Sequence, residues 1–262
     1  MERLNILEKN GFKENIPLKN YKITVQYDGT RYKGWQVQKS TDMTIQGKLQ
    51  DVLTTMTGQQ VEVIGSGRTD AGVHAYGQVA NFHIPDHFQK EEVLDYLNHY
   101  LPMDIAVLDI TEVDERFHAR YHAVSKTYMY RIHTSMIPNV FERKFMYTYT
   151  EKLDIANMRE AAKYMIGTHD FAAFCGNKKM KKSTVRTVTE IEIVEKENEI
   201  QISYTGDGFL QNMIRIMTGT LIEVGNGMKQ PEDVEDILAS MERQNAGYTV
   251  PPEGLVLREV RY

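Results

Sequence analysis

Residues 65–75 read GSGRTDAGVHA, which sets Arg68, Thr69 and Asp70 between glycines and follows them with His74. Two uses are open to Asp70: to cap its own backbone in a turn, where aspartate is common, or to serve as a reacting carboxylate. For the second use, Arg68 stands two residues away as a charge partner or phosphate contact, and the small residues Ala71 and Gly72 let a substrate approach the backbone closely. The glycines at 65, 67 and 72 do not make GxGxxG, and no GxxxxGK followed by Ser or Thr occurs, so dinucleotide and P-loop binding are not supported. His118 and His122 are four apart but lack the Glu of HExxH and lie in a strand-like stretch, so no metal site is predicted. Cys175 follows apolar FAAF and reads as a small buried hydrophobe rather than a nucleophile.

The elements that must position Asp70 follow from periodicity. VEVI before the motif and YGQVANFHI after it read as strands, so Asp70 is placed on a glycine-rich connection between them. YKITVQY is a strand closed by Asp28-Gly29, and TIQGKLQDVLTTM puts Ile45, Leu49, Leu53 and Met56 on one helical face with Thr44 as N-cap. KEEVLDYLNHYL reads as a helix stopped by Pro102, and IAVLDITEV as a strand. FHARYHAV and TYMYRIHT both alternate like strands. The helix DIANMREAAKYMIG follows, then a hairpin turning near Glu197-Asn198, the helix FLQNMIRIMTGTLIEVG, the short helix PEDVEDILASM and a last strand GLVLREVRY. This order predicts an α+β fold: a mixed, largely antiparallel central sheet of two ferredoxin-like (RRM-like) halves, with helices on one face and a central cleft for the site. The expected division is an N-terminal extension over 1–20, an N-terminal half over 21–140 carrying the Asp70 loop, and a C-terminal half over 141–262.

The chain has 262 residues, 41% hydrophobic and 26% charged, with a single cysteine, which suits a reducing cytoplasm and rules out an intrachain disulfide. No apolar run of about 18 residues occurs, so neither secretion nor membrane insertion is expected. The net charge of −5 hides segregation: residues 116–144 carry Arg116, Arg120, Lys126, Arg131, Arg143 and Lys144 against Glu142 alone. Residues 176–188 add Lys178, Lys179, Lys181, Lys182 and Arg186 with no acid. Such runs are commonly solvated faces, but aromatic residues interleave the first, in FHARYH and KTYMYRI, as RNA backbone neutralisation and base stacking together require.

With these motifs in hand, GRTDAGVHA resembles the catalytic signature of the tRNA pseudouridine synthase A family. Further blocks resemble the family in order: YDGTRYKGWQ with TIQGKL, GQVANF, LPMDI, FHARYHAVSKTYMYRI, HDFAAFC, GFLQNMIRIMTGTLIEVG and AGYTVPPEGLVLREVRY. The resemblance spans Tyr21 to Tyr262. It implies a cofactor-independent and metal-free isomerisation of uridine to pseudouridine, on uridines 38, 39 and 40 of the tRNA anticodon stem-loop, by a cytoplasmic homodimer.

By the same resemblance Asp70 is the essential carboxylate, and Tyr128 stacks on the target base and takes part in proton transfer. Arg215 pairs with the aspartate, Leu255 lines the uracil pocket, and Arg68 holds the nucleotide extruded. Arg120, Lys126, Arg131, Lys178, Lys179, Lys181 and Lys182 are expected to contact RNA. Arg215 beside a buried Asp70 is expected to keep the carboxylate ionised, since burial alone favours the neutral form. A paralogue acting on another structured RNA such as ribosomal RNA, an RNA-binding module without chemistry, and a hydrolase pairing Asp70 with His74 are the alternatives. The sequence departs from the family pattern at Ser66, Asp207 and Val250, and in the residues before Tyr21, which are expected to form a disordered or peripheral tail dispensable for activity.

Overall fold

The computed structural model describes residues 17–177 and 180–262. The expectation of a tail therefore lies, up to residue 16, outside the described residues. The elements run β1 (Leu18–Tyr27), α1 (Ile45–Thr57), β2 (Val63–Gly65), β3 (His74–Pro85), α2 (Lys90–Tyr100), β4 (Ile105–Val113) and β5 (Ser125–His133). They continue with β6 (Tyr147–Thr148), α3 (Ile155–Tyr164), β7 (Gly167–Asp170), β8 (Val185–Lys196), β9 (Glu199–Gly206), α4 (Met213–Gly225), α5 (Asp233–Ser240) and β10 (Leu255–Arg261). One sheet runs β4-β1-β3-β10-β5-β9-β8-β7, with β2 also on β3 and β6 also on β5. All pairings are antiparallel except β3–β10 and β5–β6.

Two βαββαβ units are visible in that order. The first is β1-α1-β2-β3-α2-β4 with strands arranged β4-β1-β3-β2, and the second is β5-α3-β8-β9-α4-β10 arranged β10-β5-β9-β8. The strand β5 thus pairs within the second unit, although it precedes residue 141. The units meet along β3, whose edge is shared. β2 takes its far end through Val63 to Gly65, and β10 takes its start through Val256↔His74 and Leu257↔Ala75. Between those two partners the chain from Ser66 to Val73 rises as a loop. Gly77 permits the close approach of β10, because a Cβ there would meet the Arg258 carbonyl oxygen at 2.8 Å.

Alternating residues of the central strands, among them Ile23, Val25, Tyr130, Ile132, Ile202 and Tyr204, pack with Leu49, Leu53, Leu97, Met158, Ile216 and Ile237 of the five helices in one continuous core. Helix α1 starts where expected: the Thr44 side chain accepts from the Gly47 N–H, and Gly58 closes the helix in the left-handed region at φ 70°. The β8–β9 hairpin turns at Glu197-Asn198, with Asn198 at φ 59°. Helix α4 is apolar on nearly every side because it is covered on every side. Its Thr218 bonds Tyr204 of β9 at 2.8 Å, and a Cβ at Gly219 would meet the Tyr248 carbonyl oxygen at 1.9 Å.

Two expectations need correction. The stretch FHARYHAV, residues 117–124, is a loop and not a strand. Most of its backbone bonds beyond the loop go to side chains, with only the Val124 N–H, among the described residues, reaching a strand, at the Arg261 carbonyl of β10 (2.8 Å): Asn20 donates to the Phe117 carbonyl (2.9 Å), Asn81 accepts from the Ala119 N–H (2.9 Å), and the Tyr262 hydroxyl donates to the Ala119 carbonyl (2.8 Å). Helix α4 begins at Met213 rather than Phe209, because Asn212 adopts the left-handed region at φ 58° and interrupts the helical path. Asn81 is buried and also donates to Asn20 Oδ1 at 3.0 Å, so Asn81→Ala would leave the Ala119 N–H and Asn20 Oδ1 without these partners. A stability loss of about 2 kcal/mol is expected for that variant in urea unfolding, the scale for orphaned buried polar groups.

Candidate active site

The loop carrying Asp70 is held at almost every residue. Beneath Gly65 lies buried Trp35, so close that a Cβ at 65 would come within 2.5 Å of the indole. Ser66 is buried, with its N–H on the Val79 carbonyl (2.7 Å) and its hydroxyl on Gln78 Oε1 (2.6 Å). Thr69 bonds the Tyr27 hydroxyl at 2.8 Å, and its carbonyl accepts from the Trp35 N–H at 3.1 Å. Val73 N–H closes a turn on the Asp70 carbonyl at 3.2 Å. The glycines and tryptophan of the first unit therefore build a rigid mount, and Asp70 Cα has little freedom.

Above the loop a cleft of about 340 Å³ is lined by Arg68, Asp70, Tyr128, Phe209, Asn212 and Leu255, among others. Four of the five residues expected to handle the nucleotide thus share one cavity, and Arg215 acts on Asp70 from the first turn of α4. The Arg215 guanidinium donates from Nε to the Val250 carbonyl (2.7 Å) and from Nη1 to Asn212 Oδ1 (2.9 Å). It forms no direct ion pair with Asp70 among the described residues; its charge acts through space. The Asn212 backbone N–H also pulls the Asp70 carboxylate toward its ionised form, and this N–H opens α4, where the helix end favours negative charge.

Burial of Asp70 outweighs these two favourable partners. Desolvation pushes its pKa above the ordinary aspartate value, with Arg215 first and the Asn212 N–H second pulling it back. Arg215 works in the expected direction but does not cancel the burial. Burial, then the nearby Tyr27 and the Asp70 charge, drive the Tyr128 hydroxyl far above its usual pKa, so it stays a neutral phenol. The Tyr128 ring meets Phe209 edge-on, with centroids 5.5 Å apart and planes at 84°.

Arg68 stands exposed at the cleft mouth, and a chain of amides orients it. Gln46 accepts from the Val37 N–H (2.9 Å) and donates to the Val63 carbonyl (2.8 Å), so its Oε1 must receive Gln36 Nε2 (2.7 Å). Gln36 Oε1 is then left to accept from Arg68 Nε at 2.9 Å. The guanidinium is anchored at Nε, which leaves its outer nitrogens without a hydrogen-bond partner among the described residues.

His74 does not join Asp70. Strand alternation turns it to the opposite face of the sheet, where Nδ1 accepts from the Gly29 N–H (3.0 Å) beside Asp28. It lines a separate cavity with Tyr76, Met103 and Phe145, and burial lowers its pKa. That cavity is the larger of the two, and neither Asp70 nor Tyr128 lines it.

The basic residues divide. Arg120, Lys181 and Lys182 are exposed, and Lys178 and Lys179 lie outside the described residues. Arg131 is taken by Glu199 (2.6 Å) and Glu142 (2.8 Å) on the face away from the cleft, and Lys126 turns inward to the Ser66 carbonyl at 2.8 Å. Sequence patterns missed Asn212, Gln36, Gln46 and Phe209. An Asn directly before an apolar helical run was a usable signal for the first of these; nothing local marked the glutamines.

The α+β sheet of two βαββαβ units thus brings one carboxylate and one tyrosine into a single cleft at the seam between the units. A sequence model of the family described as "tRNA pseudouridine synthase" matches residues 23–122 and 161–262. The chain is 49% identical over 245 residues, 94% of its length and 100% of the relative's, to "tRNA pseudouridine synthase A" of Bacillus sp. (strain KSM-64). It is 47% identical to "tRNA pseudouridine synthase A 1" of Clostridium tetani and 45% to "tRNA pseudouridine synthase A 2" of Bacillus anthracis, each over 94% of this chain and 100% of the relative. The chain belongs to the tRNA pseudouridine synthase family and is a pseudouridine synthase, an isomerase.

Because the folded state raises the Asp70 pKa, it binds that proton more tightly than the unfolded chain does, and ionised Asp70 costs stability above the folded pKa but not below the unfolded one. Asp70→Asn is expected to raise Tm at neutral pH in calorimetry, with the gain shrinking as pH falls through the carboxylate range. Arg215→Gln removes the largest force lowering that pKa. Its kcat/KM profile is expected to show the acid limb at higher pH than the wild type.

Proposed function

We propose that the protein isomerises uridine to pseudouridine in tRNA, at positions 38, 39 and 40 of the anticodon stem-loop, with Asp70 as the catalytic carboxylate. One observation carries this: Asp70 is the only acid among the described residues lining the cleft, and Tyr128 and Leu255 line it too. The reaction breaks the ribose C1′–N1 bond, turns the uracil and joins C1′ to C5. One proton leaves C5 and one is taken up at N1, so atoms balance without an oxidant, reductant or group donor. An ionised carboxylate beside C1′ opposes the positive charge that grows as the bond opens. This holds whether it bonds C1′, bonds the base or removes a sugar proton.

Tyr128, Phe209 and Leu255 supply an apolar slot that retains the detached uracil while it turns, and the neutral Tyr128 hydroxyl can pass a proton. A base in a stem must leave its stack to reach Asp70. Arg68, held through Nε by Gln36, offers its free nitrogens to the extruded nucleotide. Exposed Arg120, Lys181 and Lys182 are assigned to the RNA backbone, so affinity should fall steeply with salt. The exposed apolar residues Met136, Ile137, Val140 and Phe141 support a homodimer, since a second copy would cover them. The lone cysteine and a tRNA substrate support a cytoplasmic location.

Site-resolved pseudouridine mapping of unmodified tRNA transcripts, without added metal or cofactor, tests the proposal. Pseudouridine at 38–40 is expected with the wild type, and Asp70→Asn should lose at least about 10³-fold in rate, the scale for removing a group that reacts directly. Transcripts bound but unmodified by the wild type would move the substrate to another structured RNA such as ribosomal RNA. Light scattering that gives a monomer would remove the dimer.

A further inference from the structure

Lys126 lies two residues before Tyr128 at the start of β5, so both side chains rise on the same face toward the Asp70 loop. Its Nζ donates to the Ser66 carbonyl at 2.8 Å. The other polar groups of Ser66 are already taken by Val79 and Gln78 of β3, so Lys126 completes the hold on the residue where the loop leaves β2. Gly67 makes room for it: a Cβ there would sit 3.1 Å from the ammonium nitrogen. Ser66 is four residues from Asp70, and the segment between is short enough to carry a shift at one end to the other.

The charges around Lys126 are unbalanced. Arg120 of the 117–124 loop and Arg186 of β8 repel it, and Asp207 after β9 is the one acid that attracts it. No ion pair neutralises Lys126 among the described residues. Burial first, then the two arginines, bring its pKa down to about 8. An ammonium hydrogen bond is stronger than that of a neutral amine, so the hold on Ser66 weakens as Lys126 loses its proton.

We propose that Lys126 is a positioning residue that couples the RNA backbone to the Asp70 loop: it holds the Ser66 carbonyl, and a phosphate of bound RNA seated on Arg120 and Arg186 relieves their repulsion of it. The proposal rests on Asp70 being the reacting carboxylate. In the free enzyme the loop is fully held only below the Lys126 pKa; with RNA bound, the phosphate raises that pKa and extends the hold to higher pH. The geometry thus separates this lysine from the solvent-facing cations, for which phosphate contact is the whole role.

Steady-state kinetics on tRNA transcripts across pH test it, because kcat/KM reports the free enzyme and kcat the bound complex. The wild type is expected to lose kcat/KM with a basic limb near pH 8, and to show the kcat limb at higher pH. Lys126→Met keeps the stem and removes the donor; kcat is expected to fall on the order of ten-fold or more at neutral pH, the scale of a slightly misplaced reacting group, with KM little changed. Lys126→Arg, charged at every working pH, should lack the limb near pH 8. The double variant Arg120→Gln, Arg186→Gln should move the kcat/KM limb upward toward that of kcat, and it serves as the test if Lys126→Met does not fold. A rise in KM with kcat unchanged in Lys126→Met, a limb that persists in Lys126→Arg, or a limb unmoved by the double variant would each overturn the proposal. Activity surviving in Asp70→Asn would instead remove the catalytic assignment on which it rests.

Discussion

Two rungs of parallel pairing, His74 with Val256 and Ala75 with Leu257, decide where everything else stands. Because β3 and β10 run the same way, the segments that precede them emerge at the same end of the sheet. The segment before β3 carries Asp70, and the residue before Val256 is Leu255. Pairing of β5 antiparallel to β10 then sets Tyr128 opposite Leu257, on the face from which the loop rises. A carboxylate, an apolar wall and an aromatic ring from three distant parts of the chain meet because two strands share an edge over a short length. The same shortness leaves the gap beyond the rungs that becomes the cleft.

What the seam brings together, electrostatics makes usable. A carboxylate among Tyr128, Leu255 and Phe209 is driven toward its neutral form by desolvation, whereas the proposed chemistry needs it charged. The second unit answers with the opening N–H of α4 and the Arg215 charge, both delivered by one helical turn that the left-handed Asn212 aims at the loop. The compensation is partial, so ionised Asp70 costs stability where it lines the cleft. Under the proposed function, catalysis and stability pull against each other at this residue.

The motif blocks outside the signature act as its supports. YKGWQ and TIQGKL supply Trp35 beneath Gly65 and the Gln46–Gln36 chain that ends on Arg68. Gln78 of GQVANF fixes Ser66, and Asn81 of the same block ties down the loop before β5. Of the departures from the family pattern, Ser66 gains a hydrogen bond to Gln78, Asp207 accepts from the Thr187 N–H, and Val250 presents to Arg215 a carbonyl that any residue would present. None of these bonds reaches into the cleft.

Local rules were enough wherever period, cap and turn agreed within a few residues. Helix α1 with Thr44, strand β4 from Ile105 to Val113, the Asn198 hairpin and the Asp70 loop between strands were all legible in that way. The βαββαβ order was legible too, since it is a property of the succession of elements. Tertiary structure alone decided the rest. Residues 117–124 alternate like a strand but became a loop because Asn20 and Asn81, each dozens of residues away, offered the backbone its bonds. Lys126 and Arg131 belong to one basic run, yet odd and even positions of β5 face opposite sides, where one found the Ser66 carbonyl and the other Glu199 and Glu142. His74 parted from Asp70 by the same alternation. Sequence carries a side chain's chemistry and its local period, whereas its partner depends on which distant strand lies alongside, and that is settled only when the sheet closes.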